Sequence, residues 1–471
     1  MPEQQSKPAT LNQKGNGYRG IWYMNQPSHD EYVFKYSGGL ATYCAKHRPF
    51  AIYRPEVEKT FFCYGGTPRE SHLRHMEEDL MNGHSFERER EGFLLHMVSY
   101  YDHRTGYVPR PTILLDKRTA DAHDNPVIAM DDGGTVWVFS TSHGRSRPSC
   151  IHRSLRPYSI DAFEWVPATW VEEGQRVPLI NFSYMQPWYV PGHGFIAFFT
   201  RYHDPAIRTI FCMTSPDGVQ WSARTRLAAM DEGHYQVSEV WGGKAGTAFN
   251  YHPDGKGLNW RTNLYYMETP DIGASWLTVA GQQLNLPLVD PGSPALVHDY
   301  QSEGLNVYLK DIAYDHNGNP VILYVTSRGY KSGPEHAPRT WTTARWTGLA
   351  WDIQPVTTSD SNYDSGSLYI ESDGLWRIIG PTAPGPQAYN PGGEMVMWCS
   401  PDQGAHWQAV RQLTTGSPRN HNYARRPVNA HPGFYALWAD GHGRKPSKSL
   451  LYICTKGGNV RVLPEYMDEE T

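Results

Sequence analysis

The sequence predicts an all-β fold, a seven-bladed β-propeller, and three observations support this prediction. The chain is rich in aromatic residues, with 30 Tyr and 16 Trp among 471 residues, and such residues favour pleated strands. A short turn motif that ends in tryptophan recurs along the chain. Apolar segments separated by turn residues form a regular series of hairpins, which is typical of propeller blades. One ring of blades then accounts for the chain without a second domain.

The recurring turn is the most specific of these signals. Residues 269–276 and 400–407 both fit S/T-x-D-x-G-x-x-W, and residues 215–221 carry the motif with one residue fewer. Residues 159–165 are a degenerate copy, and Trp351 closes a fifth segment that lacks the Asp. The motif resembles the Asp-box turn of BNR repeats, which is structural rather than catalytic. In that turn the Asp binds backbone amides, the Gly takes the bend and the Trp packs between neighbouring units.

The hairpins give the number of blades and the domain boundaries. Seven inner hairpins are predicted near residues 47–66, 123–142, 181–202, 237–252, 308–327, 363–380 and 423–440. A spare strand at residues 18–23 is expected to complete the last blade and close the ring. We therefore expect an extended or disordered segment over residues 1–17 and a single catalytic propeller over residues 18–471.

Charge and composition exclude several classes of protein. The net charge of −5 and the pI near 6.5 disfavour a nucleic-acid binder. No run of 18 apolar residues exists, so no membrane span is expected. The polar N-terminus has no signal-peptide core, which implies a cytoplasmic protein, or a secreted or periplasmic one if a signal peptide was removed. The six cysteines are widely scattered without a CxxC pair, so a disulfide framework is not expected. We expect a monomer.

The hairpin at residues 123–142 carries the first candidate site. Its two strands flank the turn Asp-Asp-Gly-Gly at residues 131–134, and Asp and Gly supply the positive φ angles of a tight hairpin. His123 precedes the first strand and His143 follows the second, so both emerge at the open end. Two adjacent imidazoles can act as a proton donor and acceptor pair. The alternative is that both are loop histidines that bind backbone groups.

Propeller topology places further residues on the same face, because all inner strands run in the same direction. Tyr184 and Arg201 fall at the open end of the next hairpin, followed by His203. Tyr251 and His252 repeat the Tyr-His pair one blade further, and His47 aligns with His123 in the first blade. The alternatives are a core position for Tyr184, an inter-blade ion pair for Arg201, and structural roles for His203 and His252.

A face with His, Tyr and Arg suits β-elimination of a uronic acid glycoside. The C5 proton becomes acidic when the neighbouring carboxylate is neutralised, which an arginine does in bidentate fashion. A His or Tyr then removes the proton, and another group protonates the departing oxygen. Arg145, Arg147 and Arg261 are further candidates to bind carboxylate or sulfate; the alternative is that they are solvated loop charges.

Four stretches of sequence resemble BNR-4 propeller proteins, whose best-known members are seven-bladed ulvan lyases: GGLATYCAKHRPFAIY, EKTFFCYGG, AHDNPVIAMDDGGTVWVF and SHGRSRP. The resemblance implies that His123 and His143 are catalytic and that Arg201 neutralises the carboxylate. Tyr184 matches the family's tyrosine, with Tyr189 near enough to compete. The group also includes a rhamnosidase that relies on a single histidine, for which His47 would be the residue to examine.

The resemblance also implies one structural zinc ion near the cleft and no organic cofactor. The candidate ligands are His203, Cys212, His252 and His234. A thiolate and imidazoles on adjacent blades could form a tetrahedral site. The alternative is that Cys212 is an ordinary core residue.

These observations predict a polysaccharide lyase that acts on an acidic, ulvan-like sulfated polysaccharide and leaves 4,5-unsaturated uronate ends. Two alternatives remain. One is a glycosidase or lyase of the same group that acts at rhamnose–glucuronate linkages, although classical hydrolysis needs two carboxylates flanking the bond. The other is a non-catalytic propeller that binds carbohydrate through exposed aromatic residues.

Overall fold

The computed structural model describes residues 8–67, 93–119, 121–144, 147–202 and 207–468. Its strands form seven antiparallel sheets arranged as the blades of a propeller, and one small additional sheet. The described residues include two single-turn 3-10 helices, Ala122–Asp124 and Pro334–His336. None of the helices in these ranges is long and apolar enough to cross a membrane.

The first half of the chain forms three blades and the additional sheet. The N-terminal strands are β1 (Gln13–Lys14), β2 (Arg19–Pro27) and β3 (Phe34–Gly39). Blade 1 contains β4 (Ala51–Arg54), β5 (Lys59–Gly66), β6 (Leu95–Asp102) and β7 (Thr112–Asp116). Blade 2 contains β8 (Pro126–Met130), β9 (Val136–Ser140), β10 (Cys150–Ser154) and β11 (Phe163–Val166). The next strands are β12 (Thr169–Glu172), β13 (Gln175–Pro178), β14 (Ser183–Val190), β15 (Gly194–Tyr202), β16 (Arg208–Ser215), β17 (Gln220–Ala223) and β18 (Thr225–Ala228). Blade 3 is β14-β15-β16-β18, and β12, β13 and β17 form the additional sheet.

The second half of the chain forms the remaining four blades. Blade 4 contains β19 (Gln236–Trp241), β20 (Lys244–Tyr251), β21 (Thr262–Thr269) and β22 (Leu296–His298). Blade 5 contains β23 (Asn306–Tyr314), β24 (Pro320–Ser327), β25 (Arg339–Trp346) and β26 (Trp351–Ser359). Blade 6 contains β27 (Ser367–Ile370), β28 (Trp376–Ala383), β29 (Glu394–Ser400) and β30 (Gln408–Gln412). Blade 7 contains β31 (Asn420–Arg425), β32 (Ala436–Gly441), β33 (Ser447–Cys454) and β34 (Val460–Val462).

The N-terminal strand closes the ring. β2 pairs antiparallel with β33, with Arg19 opposite Leu450 and Trp22 opposite Ser447. The last blade is therefore completed by the start of the chain, as the spare strand at residues 18–23 predicted. Within the N-terminal segment, β1 pairs with β7 at the outer edge of blade 1. The seven predicted hairpins correspond to the first two strands of the seven blades, so the predicted seven-bladed propeller is confirmed.

The additional sheet was not predicted. β12 and β13 form a hairpin, and β12 pairs in parallel with β17, in the blade 3 segment. This sheet lies outside the regular four-stranded pattern because residues 166–179 are an insertion between blades 2 and 3. It matters for the candidate site because Glu172 of β12 forms an ion pair with Arg201, one of the predicted arginines.

The Asp-box turns follow the third strands of their blades, which are β16, β21 and β29. Asp217 Oδ1 accepts hydrogen bonds from the amides of Val219 and Gln220 at 2.9 and 2.8 Å. Asp271 and Asp402 each accept one amide hydrogen in the same way, at 2.8 and 2.9 Å. These turns lie at the closed ends of the inner hairpins, on the face opposite their open ends. The Asp boxes therefore stabilise the face on which the inner hairpins close, called the lower face here. The candidate site lies on the opposite, upper face, where the inner hairpins open.

Large side chains packed between blades form the core. Trp221 is completely buried in a cluster that joins Phe139 of blade 2 to Phe195 of blade 3. Trp276 is also buried, at 3% exposure. Trp407 is only partly buried at the margin of another cluster, because its turn lies on an exposed edge of blade 6. The expectation of burial therefore holds for two of the three motif tryptophans.

Replacing Trp221 with Ala should lower the free energy of unfolding by about 3–5 kcal/mol, the usual cost of truncating a large buried aromatic side chain. Trp407→Ala is the matched control from the same motif and should cost less, because less surface is withdrawn from water. Denaturant unfolding of both variants measures the difference. Equal losses would contradict the packing described for blades 2 and 3.

Candidate active site

The open end of the blade 2 hairpin holds the candidate site together. The 3-10 turn Ala122–Asp124 leads into β8, and β9 returns to Thr141. Thr141 Oγ1 lies 3.1 and 2.9 Å from the backbone carbonyls of His123 and Asn125. The buried Asp124 accepts the backbone N–H of His143 at 2.6 Å. Both ends of the hairpin are therefore fixed side by side, as the sequence predicted for His123 and His143.

A single carboxylate lies between the two histidines. Asp121 Oδ1 is 2.6 Å from Nδ1 of His123, and Asp121 Oδ2 is 2.7 Å from Nδ1 of His143. The two imidazole rings are stacked with centroids 4.2 Å apart. Because an ionised carboxylate only accepts hydrogen bonds, both Nδ1 atoms carry the hydrogen and both Nε2 atoms point away from Asp121. This arrangement fixes the orientation of the two rings together.

The environment shifts the pKa values of the two histidines in opposite directions. Burial lowers the pKa of His123, and the charge of Asp121 offsets this effect only in part. Burial also acts to lower the pKa of His143, but the charge and hydrogen bond of Asp121 outweigh it, so that the pKa is raised. Near neutral pH, His123 is the ring that can accept a proton and His143 is the ring that can donate one.

Tyr43 occupies the other side of His123. Its hydroxyl lies 3.0 Å from His123 Nε2, and since that nitrogen is unprotonated, the hydroxyl donates the hydrogen bond. The backbone around Tyr43 is fixed by Asn125, which donates to the carbonyl of Tyr43 at 2.6 Å. Arg425 donates to the carbonyl of Thr42 at 2.8 Å. The loop after β3 thus presents Tyr43 to the histidine pair.

Tyr184 also points towards the histidine pair. Its ring lies 5.9 Å from that of His123 and 6.2 Å from that of His143. The residue has a φ of 51° and lies where the register of β14 with β15 shifts. Such bulges re-aim side chains. The structure therefore brings Tyr184 into the predicted site, where its hydroxyl is 3.4 Å from that of Tyr202.

These side chains line a cavity of about 180 Å³ at the upper end of the axis. Among the described residues that line it, five carry cationic side chains and none is acidic: the cations are Lys35, Lys46, Arg208, Arg261 and Lys310. Neither Arg208 nor Arg261 forms an ion pair with an acid within the described ranges. Both guanidinium groups instead lie over the ring of Tyr235, at 5.6 and 4.8 Å. The described wall of the cavity is therefore rich in groups that can carry positive charge, which suits an anion.

Burial and the nearby positive charge of Arg261 lower the pKa values of two lysines in the cavity wall. Burial lowers the pKa of Lys35 to about 7, and the charge of Arg261 acts in the same direction. Burial also lowers the pKa of Lys46 to about 7. The positive charge that these two lysines contribute to the cavity wall therefore varies with pH close to neutrality.

Arg201 does not reach this cavity, contrary to its predicted place beside Tyr184. Its Nη1 forms an ion pair with Glu172 Oε1 at 2.7 Å, and its guanidinium lies over Trp170. Successive side chains of a strand point to opposite faces. Tyr202 points towards Tyr184, so Arg201 points towards the additional sheet. Arg208, the cross-strand neighbour of Tyr202, lines the cavity instead.

The other predicted substrate-binding residues are dispersed. Arg261 lines the cavity as expected. Arg147 binds the buried Asp124 at 2.7 Å, and Tyr251 is buried with its hydroxyl on Gln301. Tyr189 lies at the lower face, where its hydroxyl donates to Asp132 at 3.1 Å. Arg145 lies outside the described residues.

His47 is close to the site but is shielded from the cavity. It is completely buried, its Nδ1 lies 3.3 Å from the carbonyl of Tyr43, and its ring is 5.5 Å from that of Tyr184. Burial lowers its pKa to about 3. His47 therefore supports Tyr43 and Tyr184 from behind rather than facing a ligand.

The predicted zinc ligands do not form a metal site in the described part of the chain. Both ring nitrogens of His234 are used, by the amide of Met230 and the carbonyl of Asn250, each at 2.9 Å. Cys212 lies in an apolar cluster, and burial raises its pKa. Nδ1 of His252 lies 3.1 Å from the carbonyl of Gly233. His203 lies outside the described residues, and among the described ones Cys212, His234 and His252 do not lie together as a group that could hold a metal ion.

Sequence reasoning missed Asp121, Tyr43, Arg208 and the three lysines. Asp121 stands two residues before His123, a spacing at which a carboxylate can reach both the amide and the ring of that histidine. Arg208 could have been found from strand alternation, because it pairs across the hairpin with Tyr202. Tyr43 and Lys46 lie in the loop after β3, Lys35 in β3 and Lys310 in β23, and none of them carries a comparable local signal.

Comparisons with known proteins agree with this architecture. The chain superposes on a structure described as a new family of polysaccharide lyase, PL25 ulvan lyase, with a TM-score of 0.67 and 16% identity, over 96% of this chain and 98% of the lyase. For a structure of PL25 ulvan lyase bound to -[GlcA(1-4)Rha3S]-, the TM-score is 0.66, again at 16% identity over 96% and 98% of the two chains. For polysaccharide lyase Uly1, the TM-score is 0.58 at 11% identity, over 96% and 99% of the two chains.

At these identities the structural likeness shows the fold alone. No curated protein matches the chain. The family model described as "BNR repeat-containing family member" matches residues 97–357, which is more than half of the chain and extends from blade 1 to blade 5. The chain belongs to this BNR repeat-containing family.

Proposed function

We propose that the protein is a polysaccharide lyase that cleaves a uronic-acid-containing polysaccharide by β-elimination. The observation that carries the proposal is a cavity whose described lining has five cationic side chains and no acidic one, next to two histidines that share a carboxylate. The cations suit an acidic sugar, and the histidines suit transfer of one proton from carbon and another to oxygen. The product would carry a 4,5-unsaturated uronate end.

Neutralisation of the sugar carboxylate is assigned to Arg208, with Arg261 beside it. The C5 proton becomes acidic only when the negative charge of the adjacent carboxylate is neutralised. Guanidinium groups neutralise it through paired hydrogen bonds. Both arginines line the cavity without acidic partners among the described residues. The role first predicted for Arg201 thus passes to Arg208, across the hairpin.

The histidines divide the proton transfers according to their pKa shifts. His143, whose pKa is raised, protonates the departing glycosidic oxygen. His123, whose pKa is lowered, belongs to the side of the site that removes the C5 proton. A classical glycosidase would instead need two carboxylates on either side of the bond. The carboxylate of Asp121 is occupied by both histidines and does not line the cavity.

The substrate class follows from the number of cations and from the structural relatives. The two arginines, together with three lysines that a bound anion would keep protonated, exceed what a single carboxylate needs, which favours a polymer with a second anionic group, such as sulfate. The PL25 ulvan lyase bound to -[GlcA(1-4)Rha3S]- has the same fold and a ligand with both groups. We therefore propose an ulvan-like polymer of uronate and sulfated rhamnose as substrate.

Incubation with ulvan should produce the ultraviolet absorbance of a conjugated unsaturated uronate, because only elimination creates a C4=C5 double bond next to the carboxylate. A neutral polysaccharide should give no signal. New reducing ends without this absorbance would indicate a hydrolase. Binding without any cleavage would indicate a carbohydrate-binding propeller, and either result would contradict the proposal.

Arg208→Ala should reduce turnover by about 10²- to 10³-fold, the usual effect of removing one group that stabilises developing negative charge. Arg208→Lys should restore only part of the activity, because an ammonium cannot bind a carboxylate in bidentate fashion. Arg201→Ala is the matched control one strand away and should keep near-normal turnover. If Arg201→Ala were inactive and Arg208→Ala active, the assignment of the two arginines would be reversed.

Binding of an acidic oligosaccharide should weaken as pH rises through about 7. Lys35 and Lys46 have pKa values lowered to about 7 in the free protein, so they lose their charge above this pH. An anion in the cavity should raise both pKa values and cause net proton uptake on binding. Calorimetry in buffers of different ionisation enthalpy measures this uptake. Proton release, or affinity that rises with pH, would contradict the assigned role of the lysines.

A further inference from the structure

The hydrogen bonds at His123 form a chain of hydroxyl, imidazole and carboxylate. The hydroxyl of Tyr43 is 3.0 Å from His123 Nε2, and His123 Nδ1 is 2.6 Å from Asp121 Oδ1. In hydrolases with a serine, histidine and aspartate, the same order lets the histidine withdraw the hydroxyl proton while the carboxylate stabilises the imidazolium. Here the hydroxyl belongs to a tyrosine on the wall of the cavity.

His123 cannot act directly on a ligand while this chain is intact. Its Nδ1 is bound to Asp121 and its Nε2 to Tyr43, so both nitrogens are occupied. Tyr43 and His123 both line the cavity and are similarly buried, at 4% and 6% exposure. The oxygen of Tyr43, however, keeps a free lone pair when its hydrogen is donated to His123. Of the His123–Tyr43 pair, the atom that can meet a substrate is the tyrosine oxygen.

Tyr43 needs His123 in order to accept a proton. Burial raises the pKa of Tyr43 well above its usual value, so its hydroxyl stays protonated at every physiological pH. Tyr184 has a similarly raised pKa, again chiefly through burial, but its hydroxyl is placed near that of Tyr202. Tyr43 is therefore the tyrosine that has an imidazole positioned to take its proton.

We propose that Tyr43 is the catalytic residue that removes the C5 proton, acting through His123 and Asp121, and that Asp121 is a positioning residue for both histidines. This inference rests on the proposed lyase function and assigns the base of that reaction. It adds to the site a residue that lies outside the segment matched by the family model.

The proposed step balances in one direction. The C5–H bond breaks, its proton moves to the oxygen of Tyr43, and the hydroxyl proton of Tyr43 moves to Nε2 of His123. The C5–H electron pair forms the C4=C5 double bond, and the C4–O bond breaks. The departing oxygen takes the Nε2 proton of His143. No water is consumed, and one proton must then leave His123 and another must reach His143 from solvent.

Asp121 keeps the charge of the buried cluster constant during this step. Before it, the imidazolium is His143; after it, the imidazolium is His123, and both lie within 2.7 Å of the same carboxylate. The cluster of one carboxylate and one imidazolium stays neutral throughout. Moving charge between two sites equally close to one counter-ion avoids the cost of creating a new buried charge.

Tyr43→Phe tests the assignment of the base. It should lower turnover of the polymer by about 10²-fold or more, the usual contribution of a general base, while leaving binding of the polymer within a few-fold. Tyr324→Phe, in blade 5, is the matched control. It removes another buried hydroxyl, which is hydrogen-bonded to that of Tyr300 at 2.6 Å, and should leave turnover unchanged.

A substrate with fluoride at C4 of the uronate separates base from acid, because fluoride leaves without being protonated. His143→Ala should regain activity on this substrate relative to the natural glycoside. Tyr43→Phe and His123→Ala should stay impaired on both substrates. Rescue of Tyr43→Phe by the fluoride would make Tyr43 the acid and overturn the assignment.

Asp121→Asn tests the shared carboxylate. An amide cannot accept hydrogen bonds from both Nδ1 atoms through both of its ends, so turnover should fall on both substrates. The alkaline limit of activity should also move to lower pH, because the charge that raises the pKa of His143 is removed. His143 also faces Tyr184, Tyr202 and Arg208, and these groups are unchanged in this variant. A folded Asp121→Asn protein with an unshifted pH profile would contradict the role of Asp121.

The outcomes distinguish the two proposals. A wild-type protein that forms no unsaturated product from any uronate polymer would contradict the lyase function itself. An active wild type together with a Tyr43→Phe variant of near-normal turnover would contradict the tyrosine assignment alone, and Tyr184 would then be the base to test.

Discussion

The carboxylate of Asp121, held between two imidazoles, is the interaction on which the rest of the site depends. It determines which nitrogen of each histidine carries a hydrogen and which one faces outward. Its position depends in turn on the blade 2 hairpin, whose open end is fastened by Asp124 and Thr141. The hairpin is rigid because its strands are buried between blades 1 and 3. Propeller packing thus fixes the two histidines and their shared carboxylate as one hydrogen-bonded unit.

The second constraint is the unequal distribution of charge along the propeller axis. In the part of the chain that the structure describes, the wall of the upper cavity contains lysines and arginines and no acidic residue. Below it, Arg48 forms ion pairs with Glu239 at 3.0 Å and with Asp311 at 2.7 Å, and Arg426 forms one with Glu239 at 2.7 Å. Unpaired buried cations are unfavourable in a folded protein, which is visible in the lowered pKa values of Lys35 and Lys46. A protein retains such an arrangement where an anionic ligand supplies the missing charge.

The sequence predicted features that depend on neighbouring residues or on simple topology. It did not predict features that depend on contacts between distant segments. Turn motifs and strand alternation predicted seven blades, ring closure by β2, and the adjacency of His123 and His143, because each depends on neighbouring residues or on simple topology. Arg201 was misplaced because a one-residue change along a strand reverses the direction of a side chain, and the additional sheet supplied Glu172 as its partner. Tyr43 and Lys46 could not be predicted, because they lie in the loop after β3, which reaches the site only once β2 has closed the ring. Tyr184 lies beside the histidine pair, where the topology placed it, although the register shift that directs it inward has no evident sequence signal.

The central claim is that the two histidines and their shared carboxylate serve an elimination and not a hydrolysis. The most direct measurement is mass spectrometry of the products formed from a uronate-containing oligosaccharide in water labelled with a heavy isotope of oxygen. Elimination consumes no water, so the product masses should add up to that of the substrate and none should carry the label. Incorporation of one labelled oxygen at each new reducing end would mean that water attacks the bond, and would contradict the account.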